Sequence, residues 1–309
     1  MPGSPLGRTL VIANPAAHSG RGAEGADFAE RFLASWGSAT RGYEVRRTAA
    51  PGDATGIAAG ARGFDTVLAL GGDGVIHEVA CGLMTLPAKR RPQLGVVPLG
   101  SGNDYARTLG MARNDIEAAL AQLVRGVARP VEVGRVNGVP FVQTLSFGLD
   151  AAIALDTTAR RAADTSQEGE ALFVTSGLRI LSRARGGWAC AARFDDEPPR
   201  ELSELIFAVQ VGPSYGGGFR ICPEADPTDG LLDVCYNVSV PALPRFLALF
   251  ALARRGLHAR SSAVRLRRIR RATLDFASEP PCQADGEPLR GTRFEIEVVP
   301  AALRVIFPR

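Results

Sequence analysis

The stretch Thr66-Val67-Leu68-Ala69-Leu70-Gly71-Gly72-Asp73-Gly74-Val75-Ile76-His77-Glu78-Val79 changes character in its middle. Thr66 to Leu70 reads as a buried strand. The glycines around Asp73 break it, and the spacing from Val75 to Leu86 predicts a helix. An apolar strand that ends in glycines and opens a helix is the repeating unit of a parallel α/β sheet, and such sheets bind ligands beyond the carboxyl ends of their strands. Glycines let the backbone approach a bulky anion closely, and the helix N-terminus offers that anion unpaired N–H groups. For an isolated cluster, a tight turn capped by Asp73 explains the residues equally well.

The cluster has neighbours of the same kind. Upstream, Thr9 to Ala13 and Tyr43 to Thr48 read as strands, and Asp27 to Trp36 and Asp53 to Arg62 as helices, the second opened by Asp53 as an N-cap. Downstream, Leu94 to Pro98 reads as a further strand. It ends in Leu99-Gly100-Ser101-Gly102-Asn103-Asp104, and Asp104 to Leu109 has helical spacing. Strands alternating with helices over residues 1–130 predict a mostly parallel α/β domain with both glycine loops at one edge. Ser101 and Asn103 can bond phosphate or ribose, and Asp73 and Asp104 can engage Mg²⁺ directly or through water. Gly100-Ser101-Gly102 lacks the third glycine of a dinucleotide fingerprint, because Tyr105 stands there.

From residue 131 the texture changes to short strand-like runs between turn residues: Val131 to Val136, Pro140 to Phe147, Leu205 to Val211, Leu231 to Val238 and Phe294 to Val299. Helical patterns occupy Ala151 to Ala163, Glu168 to Arg183 and Leu243 to Leu257. This half, residues 131–309, reads as a β-rich, sandwich-like second domain. Its Asp285-Gly286-Glu287 suits a turn between two strands and equally a general base carried on a hairpin.

Composition removes several functions. Lys89 is the only lysine, and it lies in the polar turn Ala88-Lys89-Arg90-Arg91-Pro92. Neither a Walker A loop nor the strand lysine of a protein kinase is available. Phosphates must therefore be held by N–H groups, hydroxyls and arginines. The five cysteines are scattered without a C-x-x-C pair, which predicts no disulfide framework or zinc cluster and suits a reducing, cytosolic compartment. No run has the length of a membrane span.

Four motifs in order, Asn14-Pro15 with Gly20, Gly71-Gly72-Asp73-Gly74 with Glu78, Pro98-x-Gly100-Ser101-x-Asn103-Asp104 and Asp285-Gly286-Glu287, resemble the diacylglycerol kinase catalytic-domain family, which includes soluble bacterial lipid kinases and the sphingosine and ceramide kinases. Pro223-x-Ala225 with Asp229-Gly230-Leu231 is similar too. The resemblance implies an ATP-binding first domain and a lipid-substrate second domain. It implies that the loop from Gly71 and Gly72 through Asp73, Gly74, Val75, Ile76 and His77 to Glu78 cradles the ATP phosphates, with Asn14, Gly100, Asn103 and Asp104 beside it and hydroxyls from Ser101 and Thr48. Glu287 or Asp285 is then the base for the lipid hydroxyl, with Asp73 serving the metal and nucleotide. The Asp229 carboxylate with the carbonyls of Asp226 and Leu231 resembles a structural Mg²⁺ site.

Val75 and His77 replace the threonine and asparagine of many members, and Ile76-His77-Glu78 resembles the sphingosine and ceramide branch. His77 itself reads as a helix-surface residue. The expected reaction is transfer of the γ-phosphate of ATP to diacylglycerol or a related lipid such as phosphatidylglycerol. A sphingosine- or ceramide-type kinase, a soluble-substrate kinase of the NAD kinase kind and a catalytically silent sensor are the alternatives. The expected partner is a lipid reached by transient contact with a membrane surface, with no specific nucleic acid, and a homodimer is left open. Phe246, Leu247, Leu249, Phe250 and Leu252 read as core rather than as a membrane wedge. The arginines from Arg254 to Arg271 suit an anionic membrane surface and also the solvated face of a strand, the reading that Val264, Leu266 and Ile269 favour.

Overall fold

The computed structural model describes residues 5–18, 20–163, 169–181, 186–240 and 242–309. Of the helix expected over Glu168 to Arg183, Glu168, Ser182 and Arg183 lie outside the described residues. The chain divides into two compact units, residues 1–131 with 301–309, and residues 132–300. The last nine residues, assigned by sequence to the second domain, thus belong to the first unit.

The first unit runs β1 (Arg8–Ala13), α1 (Arg21–Ser35), β2 (Gly42–Arg47), α2 (Asp53–Ala59), β3 (Thr66–Gly71), α3 (Asp73–Met84), β4 (Gln93–Pro98), α4 (Asp104–Leu109) and α5 (Ile116–Arg125), and then enters β5 (Val127–Val136). The strands are parallel in the order β2-β1-β3-β4. Every residue of β3 is buried, as are Leu94 to Pro98 of β4, which is why these strands read as continuous apolar runs rather than alternating ones. Each fully buried Leu or Val there contributes about 1.5–3 kcal/mol. Sequence missed α5, an amphipathic helix whose Asp115 carboxylate accepts the Ala118 N–H at 2.9 Å as an N-cap. Asp53 was expected as the cap of α2. Gly52 holds that position, and the Asp53 carboxylate instead accepts the N–H groups of Ala49 and Ala50, which lower its pKa.

The second unit continues with β6 (Val139–Phe141), β7 (Thr144–Gly148), α6 (Leu149–Ala162), α7 (Gly169–Leu181), β8 (Trp188–Phe194), β9 (Arg200–Glu204), β10 (Ile206–Gln210), β11 (Leu232–Asn237), α8 (Leu243–Ala253), β12 (Val264–Ile269), β13 (Arg271–Phe276), β14 (Cys282–Ala284), β15 (Glu287–Pro288) and β16 (Arg293–Phe307). One sheet has the order β12-β11-β10-β7-β14-β15, and a second sets β13 between the first half of β16 and β8. Their inner faces interdigitate around Phe147, Phe194, Phe207 and Phe294, which makes this half a β-sandwich. The last part of β16 returns to the first unit, where Val305 pairs with Leu94 of β4. All five cysteines are free thiols. Among the described residues no helix is long and apolar enough to cross a membrane.

The second unit buries carboxyl groups that burial holds in their neutral form. Glu204 is 1% exposed, and burial pushes its pKa from 4.5 to about 9; burial likewise raises Asp150 to about 8. Between these folded values and the unfolded ones the native chain holds the extra protons, so stability is full in acid and falls as pH rises. Glu204→Gln should remove ~1.4 kcal/mol of that loss per pH unit. Urea unfolding midpoints followed from about pH 5 to about pH 8 should decline less steeply in the variant; parallel profiles would reject the assignment.

Candidate active site

The parallel register aligns four strand ends. Ala13 lies opposite Leu70 and Arg47, and Gly71 lies opposite Pro98. Cross-links continue past the strands. The Asn14 N–H donates to the Leu70 carbonyl at 3.0 Å, the Thr48 N–H to Ala13 at 2.9 Å, and the Leu99 N–H to Gly71 at 2.8 Å. Asn14, Thr48, the Gly71–Gly74 loop and the Gly100–Asp104 loop are therefore brought together along one edge.

The two glycine loops touch backbone to backbone. A Cβ added to Gly100 would lie 2.6 Å from Gly72 Cα and 2.9 Å from Asn103 Oδ1, so this approach requires glycine. Asp73 Oδ1 accepts the Tyr105 N–H at 3.1 Å and so couples the first loop to the start of α4. Gly72 caps α3 with no side-chain bond, the Val75 and Ile76 N–H groups turn back to the Gly72 carbonyl at 3.1 and 3.2 Å, and nothing lies within 4 Å of a Cβ built on the exposed Gly74, so the loop backbone there is accessible to an anion. Val75 and Ile76 bury their side chains and offer only backbone. Asn14 Oδ1 accepts the Ala16 N–H at 2.9 Å, which shapes the loop after β1.

Beside the second loop lies a cavity of about 420 Å³ lined by Ser101, Gly102, Asn103, Arg107 and Arg113 among others. Ser101 is half-buried, and Arg113 is exposed. Arg107 lies 3.6 Å from Asp104 and donates to the Gly102 carbonyl at 3.3 Å. Neither arginine was singled out by sequence, although the lack of a usable lysine pointed to arginines as a class.

Several expected ligand residues hold the scaffold. The carboxylate of Glu78 accepts the N–H groups of Gly52 and Ala54 at 2.9 and 3.1 Å and so caps α2. Asn103, 2% exposed, donates to the Gly100 carbonyl at 2.7 Å and to Asn114 at 3.1 Å, pinning its loop in a left-handed turn. His77 is not on the helix surface: it is 7% exposed, with Cys81 Sγ 3.4 Å from its Nε2, because the α3 face that carries it packs inward. Glu78→Ala should leave two amides of α2 uncapped and cost about 1–2 kcal/mol in urea unfolding. Unchanged stability with weakened nucleotide binding would return Glu78 to the ligand.

In the second unit, Asp285 and Gly286 form the turn of the β14–β15 hairpin, both with positive φ. The Asp285 carboxylate accepts the N–H groups of Val142, Gln143 and Thr144 at 2.6, 2.9 and 2.8 Å. These bonds also explain why the strand expected over Pro140 to Phe147 is two strands: at its middle the amides turn to a carboxylate instead of a ladder. Glu287 is exposed.

Near Asp226 and Asp229 the turn is tied internally. Asp226 Oδ1 accepts from the Thr228 N–H and hydroxyl, and Asp229 Oδ1 accepts the Leu231 N–H at 3.0 Å. Glu132, which sequence did not single out, is 2% exposed and takes the Gly230 N–H on Oε2. Its buried Oε1 has no partner among the described residues. Burial pushes its pKa up to about 7, and the nearby Asp229 and Asp226 add to the shift. An orphaned carboxylate oxygen beside this turn fits a cation. Among the described residues no group of three or more His, Cys, Asp or Glu side chains can hold a metal, so a cation here would depend on carbonyls.

Family models match both halves of the chain. The diacylglycerol kinase catalytic domain matches residues 8–136, and the YegS C-terminal NAD kinase beta sandwich-like domain matches residues 143–307. A diacylglycerol kinase of Bacillus subtilis is 31% identical over 80% of each chain. A Pseudomonas aeruginosa protein named "Probable lipid kinase YegS-like" is 33% identical over 89% of this chain and 88% of its own. The crystal structure of a diacylglycerol kinase from Bacillus anthracis superposes with a TM-score of 0.79, covering 97% of this chain and 96% of that one at 22% identity. An NAD kinase from Archaeoglobus fulgidus in complex with ATP reaches 0.55, covering 98% and 93% at 14%, and these two likenesses show the shared fold. The chain belongs to the diacylglycerol kinase catalytic-domain family of lipid kinases.

Proposed function

We propose that this lipid kinase transfers the γ-phosphate of ATP to the hydroxyl of diacylglycerol or a related lipid such as phosphatidylglycerol. The observation that carries the reading is the pair of glycine loops fixed in contact at the ends of β3 and β4, with the N-terminus of α3 beside them. The name of the Bacillus subtilis relative supports diacylglycerol as the first lipid to try. Phosphoryl transfer asks little covalent chemistry of a protein; it needs phosphates held in line, their charge neutralised and the acceptor alcohol oriented.

In this reading the backbone of the Gly71–Gly74 loop, the hydroxyls of Ser101 and Thr48, and Arg107 and Arg113 hold the nucleotide. Asp73 and Asp104 would hold the metal that accompanies it. Bound Mg²⁺ would supply charge neutralisation between the phosphates. A second, structural cation suits the Asp229 carboxylate with the carbonyls of Asp226 and Leu231, where the orphaned oxygen of Glu132 completes a negative site. Glu287 accepts the proton of the lipid hydroxyl. The work is that of a cytoplasmic enzyme which visits a membrane surface.

The test is incubation with ATP labelled in the γ-phosphate and separate vesicles or micelles of diacylglycerol, phosphatidylglycerol, sphingosine and ceramide. Label in diacylglycerol or phosphatidylglycerol is the expected result. Label confined to sphingosine or ceramide, or to no lipid, would reject it.

A further inference from the structure

Helix α8 carries a single polar side chain, Arg245. Its inner side is buried: Phe246 and Ala253 are covered, and the Phe250 ring packs 5.0 Å from Phe219 and 6.1 Å from Phe173 of α7. Surface helices set charged or polar residues opposite such a stripe. Here the opposite side carries Pro244, Leu247, Ala248, Ala251 and Leu252, all exposed. The expectation that the whole run is core therefore holds for Phe246 and Phe250 and fails for Leu247 and Leu252. Val238 and Val240, just before the helix, and Leu257, on the 3-10 turn that packs against it, extend the apolar surface; these side chains and the two leucines are 37% to 46% exposed.

The segment that carries this surface has charge of one sign. From Val238 to Leu274 the sequence contains no Asp or Glu. Arg255, Arg260 and Arg265 are exposed and form no ion pair among the described residues, and Arg245 only hydrogen-bonds the Ser262 hydroxyl, at 3.4 Å. Other arginines of the segment are engaged: Arg267 pairs with Glu197 and lies over the Phe194 ring at 4.3 Å, and Arg271 pairs with Asp196. The unpaired subset thus lies on α8, on the turn after it and at the start of β12, the edge strand of its sheet.

We infer that the outer face of α8 is a membrane-docking surface, with Leu247 and Leu252 entering the interface of a bilayer and Arg245, Arg255 and Arg260 contacting anionic lipid headgroups. Charge complementarity selects this occupant. Two copies of the face would bring arginine against arginine with no carboxylate of the segment to separate them, whereas a bilayer of anionic lipid offers apolar depth and negative charge together. The inference rests on the lipid-kinase reading only for the presence of a lipid substrate; docking itself is measured without turnover.

The full chain is sedimented with vesicles of phosphatidylcholine, with and without phosphatidylglycerol, at low and high salt. Binding is expected only with phosphatidylglycerol and should weaken with salt. Arg255→Gln with Arg260→Gln should lower it about fivefold per arginine, and Leu247→Ser with Leu252→Ser by at least about tenfold. Phosphorylation of a short-chain, monomeric diacylglycerol should be unchanged in both variants. Wild-type vesicle binding by the leucine variant would overturn the inference, as would a fall in that variant's solution mass from dimer to monomer with vesicle binding retained. Absence of phosphorylation by the wild-type chain, with vesicle binding intact, would count against the proposed function and leave the docking surface standing.

Discussion

Replacing Glu287 by Gln is expected to lower turnover on a lipid substrate by about 10²–10⁴-fold while leaving ATP affinity at its wild-type value. The range is that of a general base removed from a transition state. Two carboxylates flank Gly286, and their surroundings separate them. Asp285 already accepts three N–H bonds from Val142, Gln143 and Thr144, so its lone pairs are directed at the backbone that joins β6 to β7. Glu287 is exposed on the two-residue strand that follows the turn, where a carboxylate can meet an alcohol. Asp285→Ala should therefore act on the fold. Losing the acceptor for three amides costs about 1–3 kcal/mol or more in urea unfolding, with activity falling only as the folded fraction falls. The decisive comparison is turnover per folded molecule. Full activity in Glu287→Gln, together with an inactive but stable Asp285→Asn, would exchange the two roles.

The same hairpin shows what was legible in the sequence. Asp285-Gly286 was readable as a turn because Asp and Gly tolerate positive φ. Its bonds to residues more than 140 positions earlier were not readable, since nothing local encodes a non-local acceptor. Glu78 is similar: its place after the glycine loop suggested phosphate, and its carboxylate caps a helix 24 to 26 residues upstream. Glu132 was hidden inside an apolar strand pattern, and its isolation becomes visible only when Asp226 and Asp229 fold against it. The strands β3 and β4 were legible because burial on both faces leaves a continuous apolar run. The end of β16 was not: the expected strand ended at Val299, whereas β16 passes Pro300, turns through Ala301 at positive φ and resumes in the first unit. Helix α5 had readable signals, an Asp115 cap and apolar spacing, and was missed for lack of a motif to draw attention to it.

Gly100→Ala and Gly74→Ala should part stability from ligand binding. The first places a methyl 2.6 Å from Gly72 Cα and 2.9 Å from Asn103 Oδ1, distances that only movement of the backbone can relieve. Both loops shift, the Asp73 bond to Tyr105 is strained with them, and a displacement on the order of 1 Å at a phosphate site costs about 10²-fold in turnover. Gly100→Ala should therefore lose both thermal stability and activity. Gly74 lies in the first turn of α3 with nothing of the protein within 4 Å of an added Cβ. In the unliganded chain alanine there should be neutral or stabilising by about 0.5–1 kcal/mol, because glycine is the poorer helix former. If phosphate oxygens approach that backbone, the same methyl occupies their place, and ATP affinity falls although the fold is firmer. A more stable Gly74→Ala variant that binds ATP with wild-type affinity, measured by calorimetry, would mean that the phosphates lie elsewhere and that the contact between Gly72 and Gly100 serves packing alone.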